Sequence, residues 1–140
     1  MPLCELQAPI VEAYLTALPP GSAPRIMASR TVFVADELDM ALNFAEIGLR
    51  KFSKRYTYGG HELRGNRVQD MIASYEVILG RPDDVADQLA RDPIHGVATE
   101  AAVQVHSVDP PDAYVLRSFE LFAEKVAPSM GWSGIGSEAL

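Results

Sequence analysis

A short apolar strand pattern followed by a helical pattern occurs three times along this chain. The first strand pattern, residues 26–34, is rich in β-branched and apolar side chains on both of its faces. A strand that is apolar on both faces is typical of a parallel sheet covered by helices on each side. Crossovers from strand to helix to strand also produce parallel sheets. The sequence therefore predicts an α/β fold of about three parallel strand–helix units.

The helix after the first strand is predicted to begin at Asp36, with Asp39 completing a weak capping box. The second strand, residues 75–80, leads into a helix with Pro82 at its first position. The third strand, residues 97–106, leads into a helix that starts at Asp109 and Pro110. This last helix is predicted to bury one apolar stripe, formed by Val115, Leu116, Phe119, Phe122 and Val126.

Length and charge narrow the classes of protein that this chain can belong to. At 140 residues we expect one domain, residues 1–132, with a small and polar tail, 133–140, that is disordered. The net charge of −7 argues against nucleic-acid binding. No apolar run approaches the ~20 residues of a membrane span. The N-terminus lacks the pattern of a secretory signal, so we expect a cytoplasmic protein.

Cysteine and histidine are too few and too scattered for a metal site of the usual kinds. Cys4 is the only cysteine, which excludes an intrachain disulfide and a cysteine-based zinc site. The three histidines, His61, His95 and His106, are not spaced as metal ligands are. We therefore predict no metal.

Half of the twelve basic residues lie within residues 50–67, and this cluster has two interpretations. It is either a solvated helix end, where the helix dipole favours cations, or a patch that faces an anion. The sequence favours the first interpretation. The members are Arg50, Lys51, Lys54, Arg55, Arg64 and Arg67.

Three segments resemble the C-terminal part of the bacterial luciferase-like, FMN-dependent monooxygenases. They are APRIMASRTVFVAD (23–36), VILGRPDDVADQL (77–89), and the final strand and helix with VQVHSVDPPD (103–112) and FELFAEKVAPSMGW (119–132). The first segment resembles a strand of the family that is followed by an acidic residue. The second resembles the start of a family helix, with the pattern hydrophobic–Gly–x–Pro–acid–acid. Together they cover nearly all of residues 23–132.

The resemblance implies a partial TIM-barrel-like fold, roughly the last three strand–helix units of a luciferase-like barrel. A complete barrel of eight units takes at least about 200 residues. The implied activity is that of a flavin-dependent oxidoreductase, in which reduced FMN and oxygen act on a small organic substrate. In the family most of the flavin site lies on earlier strands, and the sequence has neither a Gly-x-Gly-x-x-Gly motif nor a P-loop. We expect this chain by itself to bind FMN weakly and to be inactive.

Barrel enzymes place their chemistry at the carboxyl ends of strands, which directs attention to Asp36, to Gly80 and Arg81, and to His106 and Ser107. His106 is the candidate catalytic residue, a polar group facing a cleft, although the sequence favours the alternative, a strand-end histidine satisfied by the backbone. Gly80 and Arg81 could receive a phosphate, but Asp83 and Asp84 favour an ordinary capped helix. Ser107 is a cofactor-binding candidate by its position.

Arg30 lies in the middle of the first strand on a mostly apolar face. A buried arginine must be paired. It is either part of a structural ion pair, with Glu100 of a neighbouring strand as the suggested partner, or an interior contact for a cofactor anion. We list it among the cofactor-binding candidates.

The aromatic and glycine-rich stretch around Tyr56, Tyr58, Gly59 and Gly60 could be a mobile lid or an exposed connector, and the residues do not distinguish the two.

Three parallel strands would leave two unpaired edges, which are sites of unwanted pairing in solution. We therefore predict a homodimer or higher homo-oligomer. Two functions remain open: a flavin monooxygenase-related protein that takes a flavin or other small molecule, and a non-catalytic dimerisation or binding module.

Overall fold

The secondary structure alternates strands and helices as the sequence predicts. The computed structural model describes residues 2–55 and 65–132, so the predicted lid around Tyr56–Gly60 and the predicted tail 133–140 lie outside the described residues. The helices and strands are α1 (Leu3–Ala17), β1 (Met27–Val34), α2 (Leu38–Arg55), α3 (Val68–Ser74), β2 (Ile78–Gly80), α4 (Pro82–Ala90), α5 (Pro93–Val97), β3 (Glu100–Gln104), α6 (Asp112–Leu121), a π-helical turn (Phe122–Val126) and α7 (Ala127–Ser129).

The three strands form one parallel sheet in the order β2-β1-β3, which confirms the predicted α/β class. Residues 32–34 of β1 pair with 78–80 of β2, and residues 27–31 pair with 100–104 of β3. Strands that are consecutive in a (β/α)₈ barrel lie side by side, so a barrel segment would have the order β1-β2-β3. In this chain β1 instead lies between the other two, as in doubly wound sheets.

Helices cover both faces of the sheet, because side chains of β1 alternate between two apolar clusters. Phe33 and Ala35 pack with residues of α2 and α3 such as Leu49 and Met71. Val32 and Val34 lie on the opposite face, against residues of α4, α6 and the π-helical turn: Val85, Leu89, Leu121 and Val126. The two clusters give this small sheet the apolar cover on both sides that the sequence of β1 predicts.

The last helix buries only part of the predicted stripe: Val126 is buried, and Val115 and Phe122 are half-buried. Phe119 is 45% exposed and Leu116 is 64% exposed, whereas Ser118, Leu121 and Val126 are buried. The predicted stripe assumed regular α-helical spacing throughout. Because of the π-helical turn, Leu121 and Val126 are both buried although they are five positions apart. A regular α-helix would bury residues three or four positions apart. Phe119 and Leu116 precede this turn and lie on the exposed side of α6.

Helix α1 forms hydrogen bonds with the rest of the protein, and none of its residues is buried. The carboxylate of Glu76 accepts the backbone N–H of Leu3 at 2.9 and 3.0 Å, which satisfies a donor of the first turn. The Tyr14 hydroxyl accepts the N–H of Arg25 at 3.0 Å. Among the described helices, none is both long and apolar enough to cross a lipid bilayer.

Candidate functional site

Residues that follow β1 and β2 line a cleft at the carboxyl edge of the sheet. Parallel strands all end at the same edge, and ligands of α/β proteins commonly bind there. The cleft has a volume of about 230 Å³. Its lining is formed by Asp36, Arg81, Pro82, Asp83, Leu121 and Lys125. Asp36 and Arg81 therefore line the same cleft, as expected for residues at the carboxyl ends of parallel strands.

Asp36 at the cleft is held by Arg117 of α6 through two parallel hydrogen bonds. Arg117 Nη2 donates to Oδ1 at 2.8 Å, and Nε donates to Oδ2 at 3.0 Å. These bonds, with the positive charges of Arg117 and Lys125, hold the pKa of the Asp36 carboxyl below its usual value, although partial desolvation acts the other way. The pKa of Arg117 is correspondingly raised. The pair therefore stays ionised and adds no net charge to the cleft.

Gly80 and Arg81 form the turn into α4, and their geometry explains the glycine. Gly80 has φ +141°, and a Cβ at this position would lie 2.7 Å from the Cβ of Asp84. Asp84 Oδ2 accepts the backbone N–H of Arg81 at 3.0 Å and its Nε–H at 3.3 Å. The carboxylate of Asp84 therefore caps the start of α4, as the capped-helix interpretation predicts. Gly80 is required by the backbone conformation, since a Cβ there would meet Asp84. The Arg81 side chain still lines the cleft.

Lys125 is the functional candidate that the sequence reasoning missed. It belongs to the π-helical turn Phe122–Val126, and π-helical turns occur frequently at functional sites. Among the described residues none forms an ion pair with its ammonium group, although its charge acts on Asp36. Regular helical spacing does not mark Lys125 in the sequence, because the buried residues on either side of it, Leu121 and Val126, are five positions apart.

His106 and Ser107 follow β3 but do not line this cleft. His106 is exposed, with Nδ1 3.1 Å from Oδ2 of Asp109 and its ring edge-on to Phe52. Ser107 is buried in a tight turn and has φ +84°, while Asp109 has φ +45°. The local Asp109 contact makes His106 a turn residue in this structure, and the proposed catalytic role stays a prediction.

Arg30 lies away from the carboxyl edge, so it does not join Arg81 as a cofactor contact. It is buried, and its Nε donates to Oδ2 of Asp92. Its Nη2 donates to Oε1 of Gln7 at 3.0 Å, and Nη1 donates to the Ser29 carbonyl at 2.8 Å. The structural ion pair is therefore correct, but the suggested partner is wrong. Glu100 pairs with Arg25 at 2.6 Å instead.

Two members of the basic cluster in residues 50–67 have local partners. Arg50 pairs with Glu46 at 2.8 Å and Arg67 pairs with Asp70 at 3.1 Å, which supports a solvated helix end for these two. Arg64 lies outside the described residues. Within the described ranges, no three His, Cys, Asp or Glu side chains are grouped so that they could hold a metal ion.

Comparison with known proteins adds no family to these observations. No family model matches the chain, and no curated protein sequence matches it.

Proposed function

We propose that this chain belongs to a flavin-dependent oxidoreductase of the luciferase-like type, and that its carboxyl-edge cleft holds the anionic end of the flavin or of a small organic substrate. The proposal rests on one observation: two cationic side chains, those of Arg81 and Lys125, line the same cleft at the carboxyl ends of parallel strands. Of the two acids in the same cleft, Asp36 is already neutralised by Arg117, while Asp83 remains and partly offsets the two cations. Support for the flavin itself comes from the three sequence segments described above.

The residues of the cleft suit a phosphate better than they suit a whole flavin. Arg81 and Lys125 can both donate to phosphate oxygens. The volume of about 230 Å³ is below the ~300–1,000 Å³ of usual ligand pockets. Pro82 and Leu121 are the apolar residues of the lining, and they offer little surface to an isoalloxazine ring. Because the cleft is too small for a whole flavin, this chain is proposed to supply one part of the site.

Titration with FMN and with riboflavin tests this proposal, because only FMN carries the phosphate. Flavin fluorescence is followed for the wild type, for Lys125→Gln, and for Lys51→Gln, an exposed lysine of α2 that serves as control. We expect FMN to bind more tightly than riboflavin, and Lys125→Gln but not Lys51→Gln to remove the difference. Equal binding of the two flavins, or no binding up to high micromolar concentration, would overturn the proposal.

The second candidate is a non-catalytic module that forms a homodimer, and a different surface favours it. Helix α1 exposes Leu6 and Ile10. An apolar groove of about 460 Å³ lies between α1 and α5, lined in part by Leu15, Ile94 and Val97. By helical periodicity Leu6 and Ile10 lie on the opposite side of α1 from Leu15, and a second copy can cover either surface through a two-fold axis. Large exposed apolar patches also commonly mark interaction sites.

The mass of the protein in solution tests the dimer. Light scattering at tens of micromolar should give about twice the 15.2 kDa of the chain. Ile10→Glu should shift the mass to that of a monomer, whereas Leu116→Glu, at an equally exposed apolar residue of α6, should leave the dimer intact. A wild-type monomer, or a dimer that Ile10→Glu does not affect, would contradict the role of α1.

A further inference from the structure

His95 is a buried histidine whose imidazole makes no hydrogen bond within the described part of the chain. The residue is 5% exposed, and both Nδ1 and Nε2 lack a partner. Buried polar atoms in folded proteins are nearly always hydrogen-bonded, so an orphaned imidazole needs an explanation. Burial without partners is tolerable for the neutral ring and far less so for the imidazolium.

The ring of His95 lies against Trp132, with centroids 4.8 Å apart and planes inclined by 40°. Trp132 follows the last helix, and its position is fixed by the helix end. Gly131 has φ +80°, the Trp132 N–H donates to the Ala127 carbonyl at 2.9 Å, and the Gly131 N–H donates to the Pro128 carbonyl at 3.0 Å. This is a Schellman ending, which requires the left-handed residue. The contact therefore joins the end of the last helix to α5.

The charged groups around His95 do not offer a place for an imidazolium. Asp92 is the nearest acid, but Oδ1 already accepts the N–H groups of Ile94 and His95, and Oδ2 accepts from Arg30. Arg30 itself repels a second cation. On the packed helices, α1 presents Glu12 at the groove beside Ile94, and α4 is followed by Arg91.

Burial lowers the pKa of His95, and Arg30 lowers it further, while Asp92 opposes the change without reversing it. The ring is therefore neutral at pH 7. An unfolded or exposed histidine takes up its proton near pH 6.5. The closed contact therefore has its full stability above about pH 6.5. Its stability falls as the pH drops below that value, because the open form binds the proton more readily.

We propose that the contact between His95 and Trp132 is an acid-sensitive latch, closed while the imidazole is neutral and opened when it is protonated. Opening lets the imidazolium reach water and frees the end of the last helix from α5. The latch is separate from the carboxyl-edge cleft and from the proposed flavin site, and it does not depend on either.

The fluorescence of Trp132 reports the latch directly, because it is the only tryptophan in the chain. Emission is recorded from pH 7.5 to 4.5, together with far-ultraviolet circular dichroism. The variants are His95→Phe, which cannot be protonated, and His106→Gln, which removes the exposed histidine. We expect the wild type and His106→Gln to shift to longer wavelength with a midpoint below pH 6.5. His95→Phe should show no shift, and the helical signal should stay constant.

Three results would overturn the latch: no shift in the wild type, the same shift in His95→Phe, or a loss of helical signal at the same pH. If His95→Phe does not fold, proton NMR of the wild type replaces it. Coincident titration of the His95 ring and the Trp132 indole signals below pH 6.5 supports the latch. Titration of His95 without any change at Trp132 refutes it.

Discussion

The hydroxyl oxygen of Ser118 on α6 accepts the backbone N–H of Val34 on β1 at 2.9 Å. The register of β3 against β1 covers residues 27–31, so Val34 lies beyond the part of β1 that β3 pairs with. A buried backbone N–H without an acceptor is costly. Ser118 therefore supplies the acceptor that a longer third strand would provide, and it fixes α6 at the carboxyl end of β1.

Ser118→Ala should lower the free energy of unfolding by about 1–3 kcal/mol, the cost of leaving a buried donor unsatisfied. Ser53→Ala is the matched control, because the Ser53 hydroxyl donates to the Arg50 carbonyl within an exposed helix turn. We expect the control to change stability by less than about 0.5 kcal/mol. Urea unfolding measures both. Equal effects of the two substitutions would mean that the Val34 bond contributes little.

Gly48 in α2 lies directly against the turn that follows β3. A Cβ on Gly48 would be 1.8 Å from the carbonyl oxygen of Val108, which is backbone and cannot rotate aside. Gly48→Ala should therefore destabilise the protein by about 1–3 kcal/mol or more, as overpacking does. Gly96→Ala is the control, since nothing lies within 4 Å of its Cβ position. We expect a neutral or slightly stabilising effect there. A harmless Gly48→Ala in thermal unfolding would contradict this packing.

The parallel α/β class could be predicted from the sequence because it depends on local patterns. Alternation in β1 divides Val32 and Val34 from Phe33 and Ala35, and each pair is buried on its own face. The order of the strands could not be predicted in the same way. Burial patterns show which side chains are covered, and they do not show which strand is the neighbour.

The sequence allowed the position of a site residue to be predicted only where that residue directly follows a strand. Asp36 and Arg81 follow their strands and meet in the cleft. Lys125 depends on the π-helical turn, a change of helical period that regular spacing does not reveal. The partner of Arg30 is Asp92, 62 residues away, and only the folded chain brings the two together.

The last helix offers a direct measurement of its buried face. Phe119→Ala should cost less than about 1 kcal/mol, because Phe119 is 45% exposed. Leu121→Ala should cost about 2–5 kcal/mol, since Leu121 is fully buried. Chemical denaturation of the two variants compares them. A large loss for Phe119→Ala with a small loss for Leu121→Ala would restore the regular stripe that the sequence predicts.

The buried pair of Arg30 and Asp92 should give the protein an acid-sensitive component of stability. Burial alone would raise the pKa of Asp92, but the hydrogen bond and charge of Arg30, with the N–H groups of His95 and Ile94, outweigh it and lower the pKa. The folded form therefore holds the ionised carboxylate more strongly than the unfolded chain. Its contribution is complete above the ordinary aspartate pKa of about 3.9, and is lost as the pH falls below that value.

Asp92→Asn should lower stability at pH 7 by about 3–5 kcal/mol, because it leaves the Arg30 charge buried without a counter-ion. The variant should also lose less stability than the wild type between pH 4 and pH 2. Asp87→Asn, on the exposed face of α4, should match the wild type in both respects. Urea unfolding at several pH values measures all three proteins. If Asp92→Asn lost stability in acid as steeply as the wild type does, the acid-sensitive component would belong to another carboxylate.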